Sequence, residues 1–235
     1  MVTPHEYFDL IESFPEPGCA VCRLLQRDAT RLIDALLHQY IYAGQLAPEM
    51  RAGRGLCNLH SAQALEFRGR ALGIAVVCDW VLDEVRKVDA RTGPGQFASG
   101  LGRFFGKSTS ALADALEPTG PCLACELMDD AEGRYCSVIV RYLDNERFMT
   151  AFHQSAGLCL PHVRLVLREV SSNEQAEAFM AVQRLKWEAL HAELREFIRK
   201  YDINNADEVM GEEGDSWKRA MSLLMGENGV FGLRR

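Results

Sequence analysis

The sequence predicts an all-α protein made of two duplicated helical-hairpin units and additional C-terminal helices. Apolar residues recur at helical spacing along most of the chain, for example in RLLQRDATRLIDALLHQY after Cys22. Sustained alternation of apolar and polar residues, which a half-buried strand requires, does not occur in the sequence. A Cys/His pattern occurs twice, about a hundred residues apart, and a long period of this kind indicates an internal repeat.

Each copy of the repeat consists of a cysteine pair after Glu-Pro and a later Gly-Leu-Cys-x2-His. The first copy reads EPGCAVC and then GLCNLH, and the second reads EPTGPCLAC and then GLCLPH. A shift of 103 positions places Cys19 on Cys122, and a shift of 102 places Cys57 on Cys159. The candidate metal ligands are Cys19, Cys22, Cys57 and His60 in the first copy and Cys122, Cys125, Cys159 and His162 in the second.

These ligand types predict two metal sites of three cysteines and one histidine. Three thiolates and one imidazole form a usual tetrahedral zinc set, and two intervening residues let one turn of backbone present both ligands of a pair. Both pairs are predicted at helix starts, where unpaired N–H groups and partial positive charge favour thiolates. Zn²⁺ is therefore favoured, with an iron–sulfur cluster as the alternative. Two pairings are open: within one copy, or between the C-x2-C of one copy and the C-x2-H of the other.

The composition limits which cellular compartment and which partners are expected. Eight cysteines in a reducing compartment indicate metal or redox chemistry rather than disulfides. The first residues are acidic where a signal peptide would be basic and then apolar, and no apolar run reaches about eighteen residues. A net charge of −7 argues against general binding to nucleic acid. We expect a cytoplasmic protein with a protein partner and without membrane association.

The predicted organisation has four segments. Residues 1–90 form the first metal-binding helical unit, 91–116 a glycine-rich linker with a short helix, 117–201 the second metal-binding unit, and 202–235 a tail with a short helix around Trp217. The two cysteines outside the repeated pattern, Cys78 and Cys136, are expected to be small core residues because their counterparts in the other copy are apolar.

The chain resembles a family of bacterial and archaeal proteins of unknown function. The resemblance rests on CAVC…GLCNLH and CLAC…GLCLPH together with LREFIRKYD and EEGDSWKRAMSLLMG, and it is strongest from Cys122 to Gly226. It implies an all-helical prokaryotic protein with Cys and His motifs, and it implies no activity.

A filled shell of four protein ligands leaves no open metal position for a substrate, so the sites are expected to be structural or electron-transferring. No catalytic residues are predicted, and the sequence favours a protein that is not an enzyme. The first hypothesis is a zinc-stabilised helical scaffold that binds a protein partner. The second is an iron–sulfur redox or electron-transfer protein. A thiol oxidoreductase is a third, and it requires at least one metal-free C-x2-C.

Overall fold

The computed structural model describes residues 3–92, 108–205 and 207–231. Across these ranges the chain is helical and contains no strand, which confirms the all-α prediction. The helices are α1 His5–Ser13, α2 Ala20–Ala35, α3 Ile41–Ala43, α4 Ala47–Ala52, α5 Asn58–Leu65, α6 Ala71–Thr92, α7 Ser108–Leu116, α8 Leu123–Arg141, α9 Glu146–Gln154, α10 Leu160–Glu169, α11 Asn173–Lys200 and α12 Ser216–Met225. A π-helical segment, Leu36–Tyr40, joins α2 to α3, and 3-10 turns occupy Ile203–Asn205 and Glu212–Asp215.

The chain divides into two compact units. The terminal unit comprises Met1–Arg27 with Asp130–Arg235, and the central unit comprises Asp28–Asp129. The division falls inside α2 and inside α8, so each of these helices contributes residues to both units. The four segments proposed from the sequence divide the chain differently and stay a prediction. Most of the predicted linker, residues 93–107, lies outside the described residues, while its short helix is α7.

The core of the terminal unit is aromatic. Phe14 meets Phe148 edge-on at 5.3 Å between ring centroids, and Phe152 stacks on Phe179 at 5.6 Å. All four rings are at most 1% exposed, so this cluster joins α9 to α11 and to the segment after α1. The predicted tail helix is α12, which packs against α10 and α11 of its own chain.

The core of the central unit is aliphatic and lies where α6 meets the π-helical segment. Ile33, Leu36 and Met50 are fully buried in it. Gly73 of α6 packs so closely on Leu37 that a Cβ atom would overlap the Leu37 backbone carbonyl. Only glycine allows this approach of two helical backbones.

The two cysteines outside the repeat differ in burial. Cys136 is 1% exposed, as predicted for a core residue. The prediction is wrong for Cys78, which is exposed. The buried face of α6 follows Gly73, Val77 and Val88, and Cys78 lies one position beyond this stripe. Among the helices that the structure describes, none has the length and apolar character that a membrane span requires.

Candidate metal centres

The eight predicted ligands come together in two groups of four, each able to hold one metal ion. The terminal site consists of Cys19, Cys22, Cys159 and His162, and the central site consists of Cys57, His60, Cys122 and Cys125. Within each group every ligand atom lies within 4.8 Å of every other. Each group has the predicted composition of three cysteines and one histidine.

In the terminal site, three sulfur atoms surround the Nδ1 atom of a buried imidazole. His162 Nδ1 lies 3.4 Å from Cys19 Sγ, 3.5 Å from Cys22 Sγ and 3.0 Å from Cys159 Sγ. Cys22 Sγ lies 3.6 Å from Cys159 Sγ. With Zn–S and Zn–N bonds of ordinary length, a tetrahedral ion separates two sulfurs by about 3.8 Å and sulfur from nitrogen by about 3.5 Å. The donor set therefore fits a single tetrahedral ion.

The central site repeats this geometry. His60 Nδ1 lies 3.2 Å from Cys57 Sγ, 3.6 Å from Cys122 Sγ and 3.5 Å from Cys125 Sγ. Cys57 Sγ and Cys125 Sγ are 3.7 Å apart. Both histidines thus direct Nδ1 toward the sulfurs and leave Nε2 for another partner.

Each site combines the C-x2-C of one repeat with the C-x2-H of the other, the second of the two pairings that the sequence left open. The grouping excludes the first pairing, in which each hairpin unit is pinned by a site made from its own three cysteines and one histidine. The physical reason is the course of α2. This helix begins beside Cys19 and Cys22 and continues out of the terminal unit, so the chain reaches Cys57 only within the central unit.

All four ligand pairs lie at helix N-termini, as predicted. Cys57 and Cys159 directly precede α5 and α10, and their histidines lie in the first turns. The repeated glycine of each GLC phrase has a positive φ, 92° at Gly55 and 83° at Gly157. A Cβ atom on Gly157 would also lie 2.6 Å from Gln183 Oε1. The motif therefore requires glycine to turn the chain into the helix that carries the C-x2-H.

The thiols of each group shift one another's pKa values. In the terminal site burial opposes ionisation of Cys19, but hydrogen bonds from Cys159 and Cys22 and the charge of His162 outweigh it and hold the Cys19 pKa well below its usual range. In the central site burial, followed by the charge of Cys122, raises the pKa of Cys125 to about 12. Three clustered thiols cannot all ionise easily without a cation, and a divalent ion removes this repulsion.

The residues that contact Nε2 of the two histidines were not predicted. His162 Nε2 lies 3.0 Å from Glu132 Oε1, and His60 Nε2 lies 3.2 Å from Met128 Sδ. With Nδ1 on a metal, Nε2–H of His162 donates to the Glu132 carboxylate, which fixes the tautomer and the ring orientation. The thioether of Met128 is only a weak acceptor. No sequence signal marked either residue, because both lie on α8 among many similar positions.

Two further parts of the terminal unit support the terminal site. Gln183 is fully buried on α11, and its Oε1 accepts the Leu158 backbone N–H at 3.3 Å. The Glu227 N–H lies 3.5 Å from Cys22 Sγ, and the Phe231 ring packs 5.0 Å from the His162 ring. The segment after α12 therefore covers the terminal site, a contact that the spacing of cysteines could not predict.

Comparison with known proteins assigns the family. Residues 8–229 match the family of unknown function DUF6062. The chain belongs to DUF6062. An uncharacterised 23.9 kDa protein in the xynA 3′ region of Caldicellulosiruptor sp. (strain Rt8B.4) is 22% identical over 221 residues, which is 92% of this chain and 99% of that protein. No solved structure matches the chain. The resemblance to a family of unknown function inferred from the motifs is thereby confirmed.

Proposed function

We propose that this DUF6062 protein is a zinc-binding helical scaffold that acts by binding a protein partner in the cytoplasm. The observation that carries the proposal is the convergence of three sulfurs and one imidazole nitrogen within 4.8 Å at each of two sites. Four protein ligands fill a tetrahedral shell, so each zinc stabilises the fold around it. All eight cysteines are free thiols, which suits a reducing compartment.

The spacing of the ligand atoms supports one ion per site rather than an iron–sulfur cluster. In a cluster the four ligands are divided among two or more iron atoms, which spreads the whole set further apart than four ligands of a single ion. The sulfur–sulfur distances of 3.6 and 3.7 Å are those expected around a single zinc. Zinc is also the usual metal of closed sites with three cysteines and one histidine.

Metal analysis tests this part of the proposal. The full-length protein is purified without oxygen, and its metal content, acid-labile sulfide and absorption spectrum are measured. We expect about two zinc ions per chain and no visible absorption band. Iron with acid-labile sulfide and a visible band would contradict the zinc scaffold and support the iron–sulfur redox protein. Absence of any bound metal would contradict both and leave dithiol chemistry as the remaining hypothesis.

An exposed apolar surface at the end of α11 supports a protein partner. Ile198, Tyr201, Ile203 and Val209 are 66–88% exposed. A set of exposed apolar side chains of this kind is typical of interaction sites when the backbone beneath it is fixed.

Ion pairs fix the backbone at this surface. The Arg199 guanidinium pairs with the carboxylates of Glu196 and Glu208. Lys200 Nζ lies 2.7 Å from Glu213 Oε1 and also donates to the Val209 carbonyl. These contacts attach the segment after α11 to the helix, so its apolar side chains are held in place toward solvent.

Site-specific crosslinking tests the partner role. A photo-crosslinking residue is introduced at Ile203 in cells that make the protein naturally, and the same residue at the exposed Glu188 is the control. We expect one defined protein adduct from position 203 that is lost when Val209 is replaced by Lys. Equal adducts from both positions, or adducts unaffected by Val209→Lys, would contradict the assignment of this surface.

A further inference from the structure

The two sites have the same ligands but different surroundings. In the terminal site Cys19, Cys22, Cys159 and His162 are 5%, 0%, 1% and 0% exposed. In the central site His60 is buried, but Cys57, Cys122 and Cys125 are all partly exposed. Three of the four donors of the central site are therefore open to attack by a competing ligand from solvent.

The terminal site is covered by the segment that follows α12. Gly226 has φ 82°, and a Cβ atom at this position would overlap the Phe231 ring and lie 3.6 Å from Cys159 Sγ. The Glu227 N–H points to Cys22 Sγ and the Phe231 ring lies on His162. Cys19 and Cys159 form part of the wall of a cavity of about 520 Å³, but they are only 5% and 1% exposed. A competing ligand therefore reaches little of the sulfurs unless this segment moves.

The partner of each histidine adds to the difference. Glu132 has a side chain only 15% exposed and accepts from His162 Nε2 at 3.0 Å. A carboxylate in this position orients the imidazole and makes it a stronger ligand, and losing such a partner typically weakens metal binding by about 10- to 100-fold. His60 has the Met128 thioether in place of a carboxylate.

We infer that the central site exchanges its zinc with the surroundings while the terminal site retains its zinc as a permanent part of the fold. The inference rests on the proposed zinc-binding function. The central thiolates of Cys57, Cys122 and Cys125 are the ones that a small competing chelator reaches first. The central site therefore equilibrates with the available zinc faster than the terminal site does.

Competition with a coloured chelator tests the inference on the full-length zinc protein. Excess 4-(2-pyridylazo)resorcinol is added, and zinc transfer is followed by absorbance. We expect about one equivalent in a fast phase and about one equivalent at least about tenfold more slowly, because a carboxylate partner strengthens metal binding by about tenfold or more and such differences lie mainly in the dissociation rate. Release of both equivalents in one phase would overturn the inference, whereas a protein without two zinc ions would instead contradict the proposed function.

Thiol labelling identifies the site that empties first. N-ethylmaleimide is added during the fast phase, and modified cysteines are mapped by mass spectrometry. We expect Cys57, Cys122 and Cys125 to be modified while the terminal cysteines stay unmodified, and the exposed Cys78 is a positive control for labelling. Earlier modification of the terminal cysteines would overturn the assignment.

Two replacements test the reasons for retention. Phe231→Ala uncovers the terminal site, and Glu132→Ala removes the carboxylate from His162. Both are expected to accelerate the slow phase, Glu132→Ala by about tenfold or more, and to leave the fast phase unchanged. Glu132→Gln retains an acceptor oxygen, so the slow phase of this variant should be accelerated less than that of Glu132→Ala. Leu224→Ala, at a half-exposed position of α12, is the matched control and should change neither phase. A slow phase unaffected by both Phe231→Ala and Glu132→Ala would overturn the inference.

Discussion

The pairing of ligands across the repeats gives a sharp prediction for double replacements. Cys22 and Cys159 belong to one site although they come from different repeats, whereas Cys22 and Cys57 belong to one repeat but to different sites. Each single replacement by Ser removes one of four ligands and should cost about one zinc ion per chain. Cys22→Ser with Cys159→Ser damages only the terminal site and should leave about one ion. Cys22→Ser with Cys57→Ser damages both sites and should leave none.

The thermal stability of the same variants should follow the same grouping. Structural zinc in small peptides contributes about 10–16 kcal/mol of binding free energy at neutral pH, so loss of an ion is large compared with ordinary side-chain effects. Once one ligand of a site is replaced, replacing a second ligand of that site removes little more. The loss of Tm in Cys22→Ser with Cys159→Ser should therefore be far less than additive, while that in Cys22→Ser with Cys57→Ser should be close to additive.

The assay is zinc content per chain after gel filtration in chelator-free buffer, together with thermal unfolding by circular dichroism. Cys136→Ser and Cys78→Ser are controls that should keep about two ions, because neither residue belongs to a site. The reasoning is refuted if Cys22→Ser with Cys57→Ser keeps one ion while Cys22→Ser with Cys159→Ser keeps none, since that result is expected only for sites closed within each repeat.

Three further predictions concern the fold. Gly157→Ala should destabilise the protein by about 1–3 kcal/mol, because alanine must adopt a positive φ there and its Cβ atom would overlap Gln183. Gly44→Ala is the control: φ is also positive but the space is open, so its loss of unfolding free energy in the same denaturant titration should be smaller. Phe152→Ala should cost about 3–5 kcal/mol by opening the aromatic core, measured by urea unfolding. The pKa of Glu213 is lowered to about 2 by the Gly211 N–H and Lys200. Its stabilising contribution should therefore be complete above its ordinary pKa of 4.5 and lost as the pH falls toward 2, so Glu213→Gln should abolish this part of the pH dependence of unfolding.

The sequence predicted which eight Cys and His residues form the two groups because metal geometry constrains the spacing of ligands directly. A C-x2-C and a C-x2-H each satisfy a local rule, and their repetition with one residue of slippage identified all eight residues that the structure groups. Helical periodicity likewise predicted the fold class. Both signals are local in the chain, so they can be recognised without knowing which segments meet.

The pairing of the C-x2-C of one repeat with the C-x2-H of the other was not predictable, because it depends on the course of the long helix α2 through the fold. The first turn of α2 belongs to the terminal unit and the end of α2 belongs to the central unit. Nothing in the apolar pattern after Cys22 indicates this change of unit. Helix α11 shows the same difficulty. Leu185 follows the buried Phe179 and Val182 at intervals of three residues, as a core residue would, yet it is 56% exposed, whereas Gln183 is fully buried. Gln183 is buried because its amide accepts the Leu158 N–H, a contact with a distant segment.

The surroundings of the two candidate sites depart from the repeat for a physical reason. A tetrahedral metal site requires four donors in each copy, but nothing requires the same acceptor beyond the histidine. The shift that places Cys22 on Cys125 places Ala29 on Glu132, so the repeat provides no second carboxylate at the equivalent position of α2. His60 meets a thioether instead. A duplication that exchanges half of each set can thus keep two identical sets of candidate ligands while one set is buried and the other is partly exposed.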